Sequence, residues 1–190
     1  KTMSDYVCTS SNAIKVIHSI PKDKKIVFAP DKNLGKFLMK ETGRDLVLWD
    51  GSCIVHEAFS LDKLIELHKK NPDAKIIAHP ESETHILETA SYVGSTSGMI
   101  NYVKSSPSDK FIVATEAGIL YKMQQEVPDK ILIPAPSKED NTCACSECAF
   151  MKMNTLEKIY TCLLDESPEV LLEQEIITKA QHPIHRMLQI

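Results

Sequence analysis

Tyr6-Val7-Cys8-Thr9-Ser10-Ser11 and Tyr92-Val93-Gly94-Ser95-Thr96-Ser97 stand 86 residues apart and are two versions of one segment. The pairing continues without a gap: Ile14 meets Ile100, Ser19 meets Ser105, Pro21 meets Pro107, and Asp23-Lys24 meets Asp109-Lys110. Ile26-Val27 then meets Ile112-Val113, and Leu34 and Lys36 meet Leu120 and Lys122. About a dozen identities over roughly thirty ungapped positions exceed chance, so the chain holds two copies of one unit.

The unit reads as α/β. In the first copy the pattern predicts a strand over Asp5–Cys8, then a helix over Ala13–Ser19 with hydroxyl and amide side chains at its N-cap. A buried strand over Lys25–Ala29 follows, then a helix from the Pro30-Asp31-Lys32-Asn33 turn to about Thr42, and a strand over Asp45–Trp49. The loop after it carries Cys53. The second copy repeats this plan from Ser91 to Ile133, and its closing loop carries Cys143, Cys145 and Cys148. Between the copies lie a predicted helix over Leu61–Lys70, a strand over Lys75–Ala78, the turn His79-Pro80-Glu81-Ser82 and a short helix over Glu83–Thr89. Strands alternating with helices imply short parallel sheets flanked by helices. The piece preceding Tyr92 has no counterpart ahead of Tyr6, so the first copy is expected to be cut through its middle. At the other end, Asn154-Thr155 caps a helix with apolar positions Leu156, Ile159, Tyr160, Leu163 and Leu164. A second helix is predicted from Pro168 through Lys179, broken by His182-Pro183, with a last amphipathic turn over Ile184–Ile190. These helices lie outside the repeat and are expected to pack on something absent.

The bulk composition narrows the function classes. The chain has 190 residues, 43% hydrophobic and 25% charged, as soluble globular proteins do. A formal net charge of -4 argues against nucleic acid or an anionic membrane as the main partner. No apolar run approaches the roughly 20 residues of a membrane span, and the polar start Lys1-Thr2-Met3-Ser4-Asp5 is not that of a signal peptide. The six cysteines are too scattered for a disulfide framework. Cys8 and Cys162 fall in apolar periodic segments and read as reduced, buried thiols.

Three loops carry chemistry. Cys143-Ala144-Cys145-Ser146-Glu147-Cys148 and Gly51-Ser52-Cys53-Ile54-Val55-His56 end equivalent units, and thiolates are soft ligands for zinc or an iron–sulfur cluster. A zinc site would draw on the cysteine loop with His56 or Cys53. A third such loop would complete three thiolates around a 4Fe–4S cube with one open iron. The hydroxyl-rich helix starts Thr9-Ser10-Ser11 and Ser95-Thr96-Ser97-Gly98 read either as plain N-caps or as cradles for phosphate or carboxylate. Ala78-His79-Pro80-Glu81, at a strand exit, reads either as a solvated turn or as a proton-transfer pair. The Pro30–Gly35 turn is a helix cap first and a ligand contact second.

Taken in order, these motifs resemble the quinolinate synthase family. The resemblance runs from Val7-Cys8-Thr9-Ser10-Ser11-Asn12-Ala13 through Pro30-Asp31-Lys32-Asn33-Leu34-Gly35, Cys53 with Val55-His56, and His79-Pro80-Glu81. It continues through Gly94-Ser95-Thr96-Ser97-Gly98-Met99 and the cysteine loop to Met151-Lys152-Met153-Asn154-Thr155-Leu156. It implies three α/β domains about a pseudo-threefold axis, each giving one cysteine to a 4Fe–4S cluster. Residues 1–56 would be the second domain, truncated at its N-terminal side, 57–142 the third, and 143–190 the cysteine loop with C-terminal helices that pack on the first. By the same resemblance Cys53 and Cys148 are cluster ligands, Cys148 being the last cysteine before the Met-Asn-Thr segment, and Cys143 and Cys145 form a redox pair able to close a disulfide. Ser10, Ser95 and Thr96 hold phosphate or carboxylate groups, and His79 and Glu81 bind the iminoaspartate-derived portion and assist its proton transfers. The implied reaction joins iminoaspartate to dihydroxyacetone phosphate, giving quinolinate in the cytoplasm, with L-aspartate oxidase or aspartate dehydrogenase supplying the imine. The third cysteine, a His, a Tyr and a Tyr-x-Asn motif are expected ahead of residue 1, so these 190 residues alone are expected to turn over little. Other readings are a zinc-stabilised module that binds a phosphorylated metabolite without catalysis, and an excised interaction fragment with an exposed apolar face.

Overall fold

The computed structural model describes residues 1–138 and 146–190. The first stretch contains α1 (Ala13–Ser19), β1 (Ile26–Phe28), α2 (Lys32–Thr42), β2 (Leu46–Leu48), α3 (Ile54–Glu57) and α4 (Leu61–Lys70). It goes on through β3 (Lys75–Ala78), α5 (Thr84–Leu87), β4 (Tyr92–Val93), α6 (Thr96–Ser105), β5 (Lys110–Ala114), α7 (Ile119–Glu126) and β6 (Ile131–Pro134). The second stretch contains α8 (Ala149–Lys152), α9 (Leu156–Asp165) and α10 (Gln174–Leu188). The strands named above pair in parallel, β1 with β2 and a four-stranded sheet in the order β4-β3-β5-β6, and an isolated antiparallel bridge joins Phe59 to Ser137. The predicted α/β class, short parallel sheets flanked by helices, is the one observed.

The central strands are apolar on both faces because helices cover both. Ile76 and Ala78 of β3, with Ile112 and Ala114 of β5, face one apolar cluster with Leu64, Val55, Phe59 and Ile86. Ile77, Phe111 and Val113, alternating with them, face a second cluster with Met99, Val103 and Met123 of α6 and α7. Local signals set the helix ends. The Asp31 carboxylate accepts the Leu34 N–H at 2.7 Å to start α2, and Gly43, at φ 65°, ends it. Ser60, Ser95 and Thr155 cap α4, α6 and α9 in the same way.

Chain order places the functional edge. From β3 the chain moves to β4 on one side; from β5 it moves to β6 on the other, so the direction of winding reverses between β3 and β5. In open parallel sheets, ligands bind outside the carboxyl ends of the strands at that reversal. His79 and Thr115 follow those two strands directly, and the His79 N–H donates to the Ala114 carbonyl at 3.0 Å.

Four expectations need correction. Asp5–Cys8 is not a strand: a strand exists by pairing, and among the described residues none lies beside it. Instead the Tyr6 ring packs under the Arg186 guanidinium at 4.1 Å, and its hydroxyl accepts from Arg186 at 2.8 Å. The last helix starts at Gln174 rather than Pro168 and runs through Pro183 to Leu188. Proline removes one helical hydrogen bond, but Pro183 is buried and α10 is anchored one turn later through Arg186, so docking outweighs the local penalty. Asn12 does not cap α1 with its side chain; its Oδ1 accepts the Thr9 N–H at 2.7 Å. Cys162, expected to be buried, is exposed on α9, as are Leu156, Tyr160, Leu163 and Leu164. No described helix is long and apolar enough to cross a membrane.

Candidate active site

Cys53 is the N-cap of α3, so His56 comes one turn later on the same face. The His56 ring is buried, its Nε2 lies 3.0 Å from the Thr115 hydroxyl, and its Nδ1 lies 3.1 Å from a Glu81 carboxylate oxygen. Cys53, His56 and Glu81 offer ligand atoms that all lie within 4.8 Å of one another. The His79 ring stacks on His56 with centroids 4.7 Å apart, and its Nε2 lies 3.2 Å from the Ser10 hydroxyl. Residues from four segments, remote in sequence, thus converge at the reversal point of the sheet.

The electrostatics follow from this packing. Burial alone would pull the His56 pKa down, but the Cys53 thiol and the Glu81 carboxylate beside it raise it to about 9. His56 in turn lowers the pKa of the Cys53 thiol by hydrogen bonding and charge, and lowers that of Glu81 in the same way. His79 goes the other way: burial and then the neighbouring His56 cation hold it at about 4. Two stacked imidazoles cannot both carry charge, so at neutral pH His56 is the cation and His79 is neutral. The Glu81 backbone N–H lies 3.4 Å from the His79 Nδ1, which places the His79 proton on Nε2, facing Ser10. The Ser10 hydroxyl then accepts from His79 and is free to donate its own hydrogen to a ligand oxygen.

The sign of the resulting pH dependence is fixed. Below pH 6.5 the unfolded chain protonates His79 while the folded chain does not until about 4, so stability falls with pH over that window. His56 works on the other side: its contribution is complete below 6.5 and is lost as pH rises through 9, with the lowered Cys53 thiol offsetting part of the loss. In the metal-free chain the acid limb should cost about 2 kcal/mol between pH 6.5 and about 5. Thermal melts should show that drop in the parent and lose it in His79→Gln; an equal drop in the variant would contradict the assignment of a neutral, buried His79.

The other sequence-predicted residues lie around this cluster. Ser95 accepts the Gly98 N–H at 3.3 Å as the cap of α6, with Thr96 exposed beside it. The Gly94 N–H donates to the Ala78 carbonyl at 3.1 Å, so both sit at the same sheet edge as His79, one strand away. Cys148 is the N-cap of α8, and its N–H donates to the Glu116 carboxylate at 3.2 Å, next to Thr115. Cys53 and Cys148 are both half-buried free thiols packed against one apolar cluster. Cys143 and Cys145 lie outside the described residues. Sequence reasoning found His56 only as an optional zinc ligand and missed Thr115 and Glu116. The Cys53-x-x-His56 spacing at a helix start, and the position of Thr115 at the exit of a central strand, were the available signals.

The buried His56 Nδ1 stands 3.1 Å from a Glu81 carboxylate oxygen, and Cys53, His56 and Glu81 together bring a thiol, an imidazole and a carboxylate to one point. Half-buried thiols, one with a lowered pKa, are the ligand chemistry of iron–sulfur sites. The residues present fit such a group.

Fold and site together define a parallel α/β protein with a thiol–imidazole–carboxylate site at the reversal point of its sheet. Residues 1–189 match the family described as quinolinate synthetase A protein, and the chain belongs to that family. Among its relatives are proteins named quinolinate synthase from Synechococcus sp., 56% identical over 99% of this chain, and from Microcystis aeruginosa, 53% identical over 100%. A third, from Gloeothece citriformis, is 54% identical over 100% of this chain. The chain spans about 58% of the length of these relatives.

Proposed function

We propose that this chain contributes to a quinolinate synthase, which condenses iminoaspartate with dihydroxyacetone phosphate to quinolinate, releasing phosphate and water. The observation that carries this reading is the convergence of Cys53, His56, His79, Glu81 and Ser10 at one sheet edge in a chain of this family. Cys53 and Cys148 would hold a 4Fe–4S cluster together with a third thiolate from outside these residues. When bound, that cluster supplies Lewis acidity at the iron without a protein thiolate.

The protein groups divide the remaining work. Glu81, held as carboxylate by the His56 cation, takes or returns a proton at its carboxylate oxygen, and His79 donates or accepts at Nε2. Ser10, Ser95 and Thr96 hold the phosphate or carboxylate oxygens of substrate through their hydroxyls. The buried His56–His79 stack keeps water from that side of the site. The exposed apolar face of α9 suits packing against a further domain, as the span of the relatives suggests. The boundaries 1–56, 57–142 and 143–190, a cytoplasmic setting and an aspartate-oxidising partner belong to the same proposal, as does the expectation that these 190 residues alone do not turn over.

The test is product formation under anaerobic conditions by a chain of the relatives' full length, with quinolinate measured chromatographically. Quinolinate above background supports the reading; none, from protein carrying iron and sulfide, overturns it. A second reading, one zinc ion held by Cys53, His56 and Glu81 without catalysis, rests on the closeness of their ligand atoms. It requires zinc in the purified protein and no product.

A further inference from the structure

Each of the two cysteines assigned above is held by the same pair of hydrogen bonds. After β1, the Asp31 carboxylate accepts the Cys53 N–H at 3.0 Å, and the next residue, Lys32, donates its N–H to the Gly51 carbonyl at 2.8 Å. After β5, the Glu116 carboxylate accepts the Cys148 N–H at 3.2 Å, and the next residue, Ala117, donates its N–H to the Ser146 carbonyl at 2.8 Å. In both cases the second bond falls two residues before the cysteine. Cys53 and Cys148 have nearly the same backbone angles, φ -80° with ψ 120° and φ -82° with ψ 109°, and both open four-residue helices.

This likeness does not follow automatically from the repeat. The carboxylate and its cysteine are 22 residues apart in the first case and 32 in the second. The two carboxylates also differ in length: glutamate, one methylene longer, stands one position earlier in the ungapped repeat, opposite Pro30 rather than Asp31. Unequal sequence converging on one geometry marks that geometry as the feature retained. Each carboxylate keeps its second oxygen busy nearby: Asp31 accepts from Leu34 at 2.7 Å and Glu116 from Gly118 at 2.8 Å. The carboxylates are thereby fixed before they fix the cysteines. A backbone N–H held by a carboxylate sets where Cα and Cβ stand, and so where the sulfur points.

We infer that Asp31 and Glu116 are equivalent positioning residues, each clamping the backbone of one cluster-binding cysteine through its N–H. The inference rests on the proposed role of Cys53 and Cys148 as cluster ligands. Loss of a clamp leaves the thiolate in place but loosely aimed, so the bound metal is released faster. Partners of this kind typically change metal affinity about 10- to 100-fold.

The experiment uses anaerobic protein of the relatives' full length and follows iron released to a chelator, with the electron paramagnetic resonance spectrum of the reduced protein as a second readout. Asp31→Ser retains a side-chain oxygen to cap α2 but cannot reach the Cys53 N–H; Glu116→Ala removes the other clamp without touching α2. Both are expected to release iron about 10- to 100-fold faster than the parent and to alter the spectrum, and Glu116→Gln, which keeps one acceptor oxygen, to recover part of the difference. Cys53→Ala and Cys148→Ala are run alongside. If those two bind no iron while Asp31→Ser and Glu116→Ala release it at the parental rate, the clamp is wrong and the ligand assignment stands. If either cysteine variant keeps its full iron, the ligand assignment is wrong and the clamp falls with it. Glu116→Ala decides by itself should Asp31→Ser fail to fold.

Discussion

Cys53→Ala or Cys148→Ala, in protein of the relatives' full length, should abolish both iron binding and turnover, while Cys8→Ala should leave both in place. The contrast rests on environment. Cys53 is half-buried beside the His56 cation, which lowers its pKa and favours the thiolate that binds metal. Burial raises the pKa of Cys8, which packs with Ile17, Phe28 and Leu38 among apolar neighbours, as suits an inert thiol. Cys148 shares the apolar cluster that Cys53 packs against. A cube that loses one of three anchoring thiolates gains an exposed, labile iron, so the effect should be near complete rather than graded. Iron content and rate are measured on the same samples. Full iron in Cys148→Ala would move the ligand to another cysteine of the same loop.

Glu81→Gln should keep the iron and lower turnover by about 100- to 10,000-fold, the range for removing a general acid or base. Glutamine preserves shape and an acceptor oxygen but carries no charge and does not accept a proton at neutral pH. His56 would lose one of the two groups that keep it protonated, so its own pKa should drop towards the ordinary value. The kinetic signature is a lower kcat with a normal iron content and a normal visible spectrum. An unchanged kcat would remove Glu81 from the chemistry.

Much of this was legible in the sequence, for identifiable reasons. The 86-residue repeat exposed the α/β plan because strands buried on both faces leave continuous apolar runs such as Ile112-Val113. Helix starts at Asp31 and Ser95 were readable because capping is local chemistry. What failed depended on distant partners. Tyr6-Val7 has the composition of a strand but no strand to pair with among the described residues, and Pro183 stays helical because α10 docks through Arg186. Within the site, Cys53, His79 and Glu81 stood out because they follow strand ends in loops. Thr115 did not, since a hydroxyl after an apolar strand has many ordinary explanations. Glu116 was hidden by the repeat itself, whose ungapped alignment sets it opposite Pro30.

The most direct measurement is anaerobic iron and sulfide analysis with an absorption spectrum, made on a chain of the relatives' full length that contains these residues. The expected result is a brown, oxygen-sensitive protein with about four irons and four sulfides and a broad band at about 400 nm. A colourless protein holding one zinc ion, with neither iron nor sulfide after anaerobic preparation, would contradict the assignment of Cys53 and Cys148 to a cluster.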